Sequence, residues 1–118
     1  MSTRIIVTET NAALRDGIVA LIEAQPDMRV VGTPSDAGGA LGEVCQIQPE
    51  VMIVDVDVPD AIDLMRRLRR ERPQTRIIAL VNYEWDLVAQ VAAQAAGSSC
   101  LPKDHISSRL LALIRELG

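Results

Sequence analysis

The stretch VMIVDVDVP, at residues 51–59, decides the fold. Its first four residues, Val51 to Val54, are continuously apolar, which is typical of a strand covered on both of its faces. Acids follow at Asp55 and Asp57, and a proline at Pro59. The stretch therefore predicts a buried strand of a parallel sheet with acidic groups at its carboxyl end.

Short runs rich in β-branched residues recur on both sides of this strand, at Arg4 to Thr8, Met28 to Gly32, Arg76 to Val81 and Ser99 to Leu101. Segments with the apolar spacing of helices separate them. The apolar positions are Leu14, Ile18, Leu21 and Ile22; Ala37, Leu41, Val44 and Cys45; Ala61, Met65 and Leu68; Trp85, Val88, Val91, Ala92 and Ala95; and Ile106, Leu110, Ile114 and Leu117. Five strands alternating with five helices predict an α/β fold with a parallel, doubly wound sheet.

Composition indicates one domain with an aliphatic core. The chain has 118 residues, which suits a single domain over residues 1–118. Phe is absent, and the aromatic residues are Tyr83 and Trp85. The core is therefore predicted to consist of Val, Ile, Leu, Ala and Met, and Trp85 to pack in the core or at an interface.

Charge, cysteine usage and hydropathy argue against several functions. The net charge of −4 opposes a domain that wraps nucleic acid, and the basic run at residues 66–72 is interpreted as a solvated helix end. No apolar run reaches the roughly 18 residues of a membrane span, and the first residues lack the pattern of a signal peptide. Cys45 and Cys100 predict small core residues of a reduced, cytoplasmic protein. One His and two Cys at unrelated positions suggest no zinc site.

Four polar residues are predicted to meet at one edge of the sheet. Glu9 follows the first strand, Asp55 and Asp57 the third, and Lys103 the fifth. Ligands of open α/β sheets bind outside the carboxyl ends of the strands. A cluster of carboxylates that faces a lysine suits a hard cation together with a phosphoryl group.

Over nearly its full length the chain resembles the receiver domains of bacterial response regulators, most closely those that precede LuxR-type helix-turn-helix output domains. Asp55, Pro59 four residues later and Lys103 carry the resemblance, together with residues 15–18, 25–32 and 48–51. The resemblance implies a flavodoxin-like fold with the strand order 2-1-3-4-5. In that family, phosphoryl transfer reshapes the face around strands four and five and alters contacts with partners.

The resemblance also implies roles for individual residues. Asp55 would be the phosphoacceptor and Lys103 would contact the phosphoryl group, while Glu9, Asp55 and the backbone carbonyl of Asp57 would hold Mg²⁺. The implied partners are a sensor histidine kinase, an output domain or another protein, and a second copy of the chain. Neither nucleic acid nor a membrane is an expected partner of this domain.

Three positions depart from the family pattern. Thr10 replaces the second of two adjacent acids, and a neutral hydroxyl is a poor metal ligand in place of a carboxylate. Val81 stands where Thr or Ser donates a hydrogen bond to the phosphoryl group, and Cys100 where an aromatic residue reports the switch. The sequence therefore predicts weak Mg²⁺ binding and weakened or phosphorylation-independent switching. An orthodox phosphoacceptor at Asp55 is the alternative.

Two other classes of protein match short segments. Residues 54–58 resemble the first motif of haloacid-dehalogenase-type phosphatases, but residues 56–118 contain no adjacent acid pair for the metal. Residues 8–11 resemble the phosphate loop of flavodoxins, but the loop lacks its glycine and two aromatic residues are few for gripping a flavin. A non-enzymatic regulatory domain is therefore favoured over a phosphatase or a flavin-binding domain.

Overall fold

A computed structural model describes residues 2–83 and 86–118, and strands alternate with helices along them. The strands are β1 (Thr3–Thr8), β2 (Met28–Gly32), β3 (Val51–Asp55), β4 (Arg76–Val81) and β5 (Ser99–Pro102). The helices are α1 (Ala12–Glu23), α2 (Ala37–Ile47), α3 (Ala61–Glu71), α4 (Leu87–Ala95) and α5 (Ile106–Leu117). The alternation predicted from the hydrophobic pattern is confirmed.

The five strands form one parallel sheet in the order β2-β1-β3-β4-β5. β3 lies at its centre, and all five of its residues are buried: Val51 to Val54, as the apolar run predicted, and Asp55 as well. The doubly wound α/β class and the strand order are therefore both confirmed. Because all strands run in the same direction, the segments that follow Thr8, Asp55, Val81 and Pro102 lie at one edge of the sheet.

Helices cover both faces of the sheet and enclose two aliphatic clusters. One cluster lies between the sheet and α2, α3 and α4, with Val44, Met65 and Leu68 fully buried. The other lies under α1 and α5, where Ile18 and Leu110 are buried. The prediction of an aliphatic core is confirmed, because the largest fully buried side chains are those of Ile, Leu and Met. No described helix has the length and apolarity needed to cross a membrane.

The predicted buried face of α4 is wrong. Val88 and Val91 are 84% and 64% exposed, whereas Ala93 and Ala96 are buried. α4 is apolar on most of its circumference, so the spacing of its apolar residues does not select one face. The helix buries Ala93 and leaves the branched side chains of Val88 and Val91 exposed. Trp85, which was assigned to the same apolar face, lies outside the described residues.

The prediction that Cys45 is a core residue is also wrong, because Cys45 is exposed. α2 buries Ala40 and Val44, which are four residues apart and therefore on one face. Cys45 is the next residue after Val44 and points away from that face. Cys100 is half-buried and packs against the cluster under α4, which agrees with its predicted place.

Candidate functional site

Asp55 is the last residue of β3, and its side chain is held from two sides. The residue is 2% exposed. Its Oδ1 accepts a hydrogen bond from the backbone N–H of Asp57 at 2.9 Å, and its Oδ2 forms an ion pair with Lys103 Nζ at 2.8 Å. A buried carboxylate needs such partners, because an unpaired charge is costly to remove from water.

Lys103 begins the short 3-10 turn Lys103–His105 directly after β5. Its Nζ lies 2.8 Å from Asp55 Oδ2, 2.9 Å from Asp57 Oδ2 and 3.0 Å from Asn82 Oδ1. Burial lowers the pKa of Lys103, but hydrogen bonds and attraction to Asp55 and Asp57 outweigh it, so the pKa lies above its ordinary value. The lysine therefore supplies a fixed positive charge to the pocket.

Asn82 also belongs to this group of polar residues, and its hydrogen bonds within the group were not predicted from the sequence. Its Nδ2 donates a hydrogen bond to Asp57 Oδ1 at 3.1 Å, while its Oδ1 accepts one from Lys103. The hydrogen bond from Lys103 lowers the pKa of Asp57, with a smaller contribution from Asn82. The position of Asn82 directly after β4, at the shared edge of the sheet, is the signal that could have identified it.

Glu9 follows β1 and is 3% exposed. Its Oε2 accepts a hydrogen bond from the backbone N–H of Asn11 at 3.1 Å, whereas no hydrogen bond from the described residues reaches the buried Oε1. Burial, followed by the hydrogen-bonding contact with Asp55 and the charge of Asp55, raises the pKa of Glu9 to about 7. The Asn11 N–H and Lys103 oppose this rise. Glu9 therefore exchanges its proton near neutral pH.

The structure thus brings the four predicted residues Glu9, Asp55, Asp57 and Lys103 to one pocket, while their roles stay predictions. Thr10 is less closely associated with this pocket than these four residues are. It is exposed, and its Oγ1 donates a hydrogen bond to the backbone carbonyl of Ser35 at 3.0 Å. The hydroxyl of Thr10 is therefore engaged with the segment between β2 and α2.

Val81 and Cys100 are the two residues predicted from the sequence to be substituted switch positions. Val81 is the last residue of β4, is fully buried and pairs with Pro102 of β5. Cys100 is half-buried, with its Sγ 3.9 Å from the backbone carbonyl of Gln90, and burial raises the pKa of its thiol. The side chain of valine offers no hydrogen-bond donor, so β4 ends without a side-chain hydroxyl.

The pocket fits Mg²⁺ with few protein ligands. Across residues 2–83 and 86–118, no three His, Cys, Asp or Glu side chains are grouped so that they could hold a metal ion. The unpaired Oε1 of Glu9 and the carboxylate of Asp55 are oxygens that a cation could use, and the resemblance implies the backbone carbonyl of Asp57 as a further one. Mg²⁺ commonly keeps several waters and binds through one or two carboxylates, so this set is compatible with it.

The fold and the pocket define a class: a flavodoxin-like α/β domain with a buried aspartate paired to a lysine at the carboxyl edge of its sheet. The model of the response regulator receiver domain family matches residues 5–115. The chain therefore belongs to the response regulator receiver domain family, whose members serve two-component signal transduction. This membership confirms the predicted resemblance.

Relatives and solved structures agree with this assignment. The DNA-binding transcriptional activator DevR/DosR of Mycobacterium tuberculosis is 28% identical over 117 residues, which are 98% of this chain and 54% of that protein. A protein-glutamate methylesterase/protein-glutamine glutaminase of Cupriavidus pinatubonensis is 36% identical over 72 residues, 59% of this chain and 20% of that enzyme. A LuxR-family response regulator from Aurantimonas shares the fold with a TM-score of 0.89 at 24% identity, over 98% of this chain and 84% of that one. The chain thus spans about half the length of the first of these relatives.

Proposed function

We propose that this receiver domain regulates an output domain or a partner protein through surface contacts that depend only weakly on phosphorylation of Asp55. The observation that carries the proposal is the buried Val81 at the end of β4, beside the pocket formed by Asp55 and Lys103. An orthodox receiver, phosphorylated on Asp55 by a sensor histidine kinase, is the alternative, and the intact pair of Asp55 and Lys103 favours it.

The chemistry proposed for the pocket is phosphoryl transfer. A carboxylate oxygen of Asp55 would attack the phosphorus of a donor and form an acyl phosphate, while the bond from phosphorus to the leaving group breaks. Lys103 would neutralise charge on the transferred group, and Mg²⁺, when bound, would neutralise more of it. Val81 would leave one phosphoryl oxygen without the hydrogen bond that a hydroxyl donates, so the modification would favour a second conformation less strongly.

Mg²⁺ is expected to bind weakly. The pocket offers the carboxylates of Glu9 and Asp55, and Thr10 supplies no third one. Glu9 must also lose a proton first, because its pKa is raised to about 7. A titration followed by backbone amide NMR shifts, with Asp55→Asn as the control for non-specific binding, should show little saturation at roughly millimolar Mg²⁺. Saturation well below that range in the natural chain alone would contradict the expectation.

The surface of α4 is the contact region that we propose for a partner. Leu87, Val88 and Val91, called here the α4 patch, are 68%, 84% and 64% exposed. None of the nine residues of α4 is charged. Exposed clusters of large apolar side chains commonly mark interaction sites. We propose a second copy of the chain as the partner, because two uncharged patches can meet without the repulsion that a net charge of −4 creates elsewhere.

Sedimentation at several protein concentrations tests this proposal. The natural chain is expected to self-associate to the same extent with and without the acyl-phosphate mimic beryllofluoride. Val88→Glu is expected to weaken association at least about tenfold, because it places a charge in the centre of an apolar contact. Gln94→Glu adds the same charge at an exposed polar position of α4 and is the matched control. A monomer at all concentrations, or association that requires beryllofluoride, would refute phosphorylation-independent pairing.

We propose no direct contact with nucleic acid, because arginines of the basic run are engaged within the domain. Arg66 pairs with Asp63, Arg67 pairs with Glu71, and Arg69 donates a hydrogen bond to the carbonyl of Ala95. We also propose that the domain is cytoplasmic and catalyses no reaction of its own. The methylesterase relative is matched over 20% of its length, so most of that enzyme lies outside the similarity.

A further inference from the structure

The side chain of Asp57 accepts hydrogen bonds from two side-chain donors of the pocket, Lys103 and Asn82. Its Oδ2 accepts from Lys103 Nζ at 2.9 Å, and its Oδ1 accepts from Asn82 Nδ2 at 3.1 Å. Lys103 also contacts Asp55 Oδ2 and Asn82 Oδ1. An ammonium group has three N–H donors, so Lys103 has no donor left for an additional oxygen in this arrangement.

Asp57 also places a negative charge at the entrance of the pocket. Its side chain is 59% exposed, whereas those of Lys103 and Asp55 are 22% and 3% exposed. A phosphoryl group on Asp55 is an anion that gains most from charge-assisted hydrogen bonds. It would meet the carboxylate of Asp57, which repels it and which accepts one hydrogen bond each from Lys103 and Asn82. Asp57 thus competes with a phosphoryl group both by charge and by hydrogen bonding.

We propose that Asp57 is a positioning residue that opposes phosphoryl binding at Asp55, because it holds Lys103 and Asn82 in a closed set of hydrogen bonds. Because its three N–H groups are all engaged, Lys103 must release one of these contacts before it can donate a hydrogen bond to an additional phosphoryl oxygen. The inference rests on the proposed phosphoryl pocket at Asp55. It concerns the side chain of Asp57 and is separate from the predicted use of its backbone carbonyl as a metal ligand.

Beryllofluoride binding at a fixed, high Mg²⁺ concentration, followed by the side-chain amide signals of Asn82, tests the inference. Asp57→Asn is expected to bind beryllofluoride about tenfold more tightly than the natural chain. Asp57→Glu keeps the charge and should stay closer to the natural chain. The gain in Asp57→Asn is expected to shrink as salt is raised, because part of it is the removal of a screened repulsion. A merely structural effect would not follow the salt concentration in this way.

Asp60→Asn is the matched control. Asp60 lies three residues further along, has a φ of 65° and makes no side-chain cap hydrogen bond. Asparagine tolerates this left-handed backbone, so the change removes one nearby charge without adding strain. An equal gain in Asp60→Asn, or no gain in Asp57→Asn while the natural chain binds, would overturn the inference and leave the pocket intact. No binding by any variant would overturn both the inference and the phosphoryl pocket.

Discussion

The double variant Thr10→Asp with Val81→Thr is expected to acquire a Mg²⁺-dependent conformational response to phosphorylation. Thr10→Asp adds a carboxylate beside Glu9 and so strengthens the hold on the metal that neutralises phosphoryl oxygens. Val81→Thr adds a donor at the end of β4. A hydrogen bond to a charged oxygen is worth roughly 1.5–3 kcal/mol, which corresponds to a gain of about ten- to a hundredfold in a two-state switching constant.

Modification with acetyl phosphate, followed by backbone amide NMR, separates the effects of the two substitutions. Thr10→Asp alone should strengthen Mg²⁺ binding, and Val81→Thr alone should enlarge the shift changes that modification produces in β4, α4 and β5. Asp55→Asn should abolish modification in every background. If the natural chain already shows rapid, Mg²⁺-dependent modification with large shift changes, the weakened switch is refuted and the orthodox alternative holds.

Glu9→Gln is expected to stabilise the metal-free protein by about 2–3 kcal/mol near pH 8 and to have little effect near pH 5. Glu9 has a pKa of about 7 in the folded chain, against an ordinary value of 4.5. The folded state therefore binds this proton more tightly than the unfolded state does. The stabilising contribution of the protonated Glu9 side chain is complete below about pH 4.5 and is lost as the pH rises through about 7. Glutamine resembles the protonated acid and carries no charge to lose.

Denaturant unfolding at several pH values, with a chelator present, measures this difference. Glu116→Gln, an exposed change on α5, controls for the loss of one charge from the surface. The gap in unfolding free energy between Glu9→Gln and the natural chain should open between about pH 4.5 and 7 and change little at higher pH. Parallel stability curves over that range would show that Glu9 is ionised without cost in the folded protein, and would contradict the expectation.

The sequence was sufficient to predict the sheet and the edge at which the pocket lies, for a physical reason. Residues 51–54 are all apolar, so the strand that they form is expected to be buried on both of its faces. A parallel sheet then brings the carboxyl ends of its strands together. Glu9, Asp55 and Lys103 therefore had to meet, although they are far apart in the chain. Their convergence follows from topology and does not depend on the details of the side chains.

The features that the sequence did not predict depend on packing and side-chain geometry, which the spacing of hydrophobic residues does not describe. In α4, nearly every position is apolar, so the spacing of apolar residues does not identify Ala93 as the buried residue. The hydrogen bonds of Asn82 with Asp57 and Lys103, and of Thr10 with Ser35, depend on loop geometry and side-chain rotamers. Such contacts depend on which residues the fold brings together, and no local sequence pattern predicts them.

The packing of α4 also affects the free energy that is needed to open this helix locally. Ala93 is its buried residue and Ala96 lies buried just after its end, and each contributes one methyl group to the core. A buried methylene-sized group stabilises by about 0.8 kcal/mol, whereas burial of a whole Val or Leu side chain contributes about 1.5–3 kcal/mol. Local opening of α4, with exchange of its amide hydrogens, should therefore cost less free energy than unfolding of the whole domain. A partner that covers the α4 patch would then do two things at once, because it would bury the exposed side chains and suppress the opening of the helix that carries them.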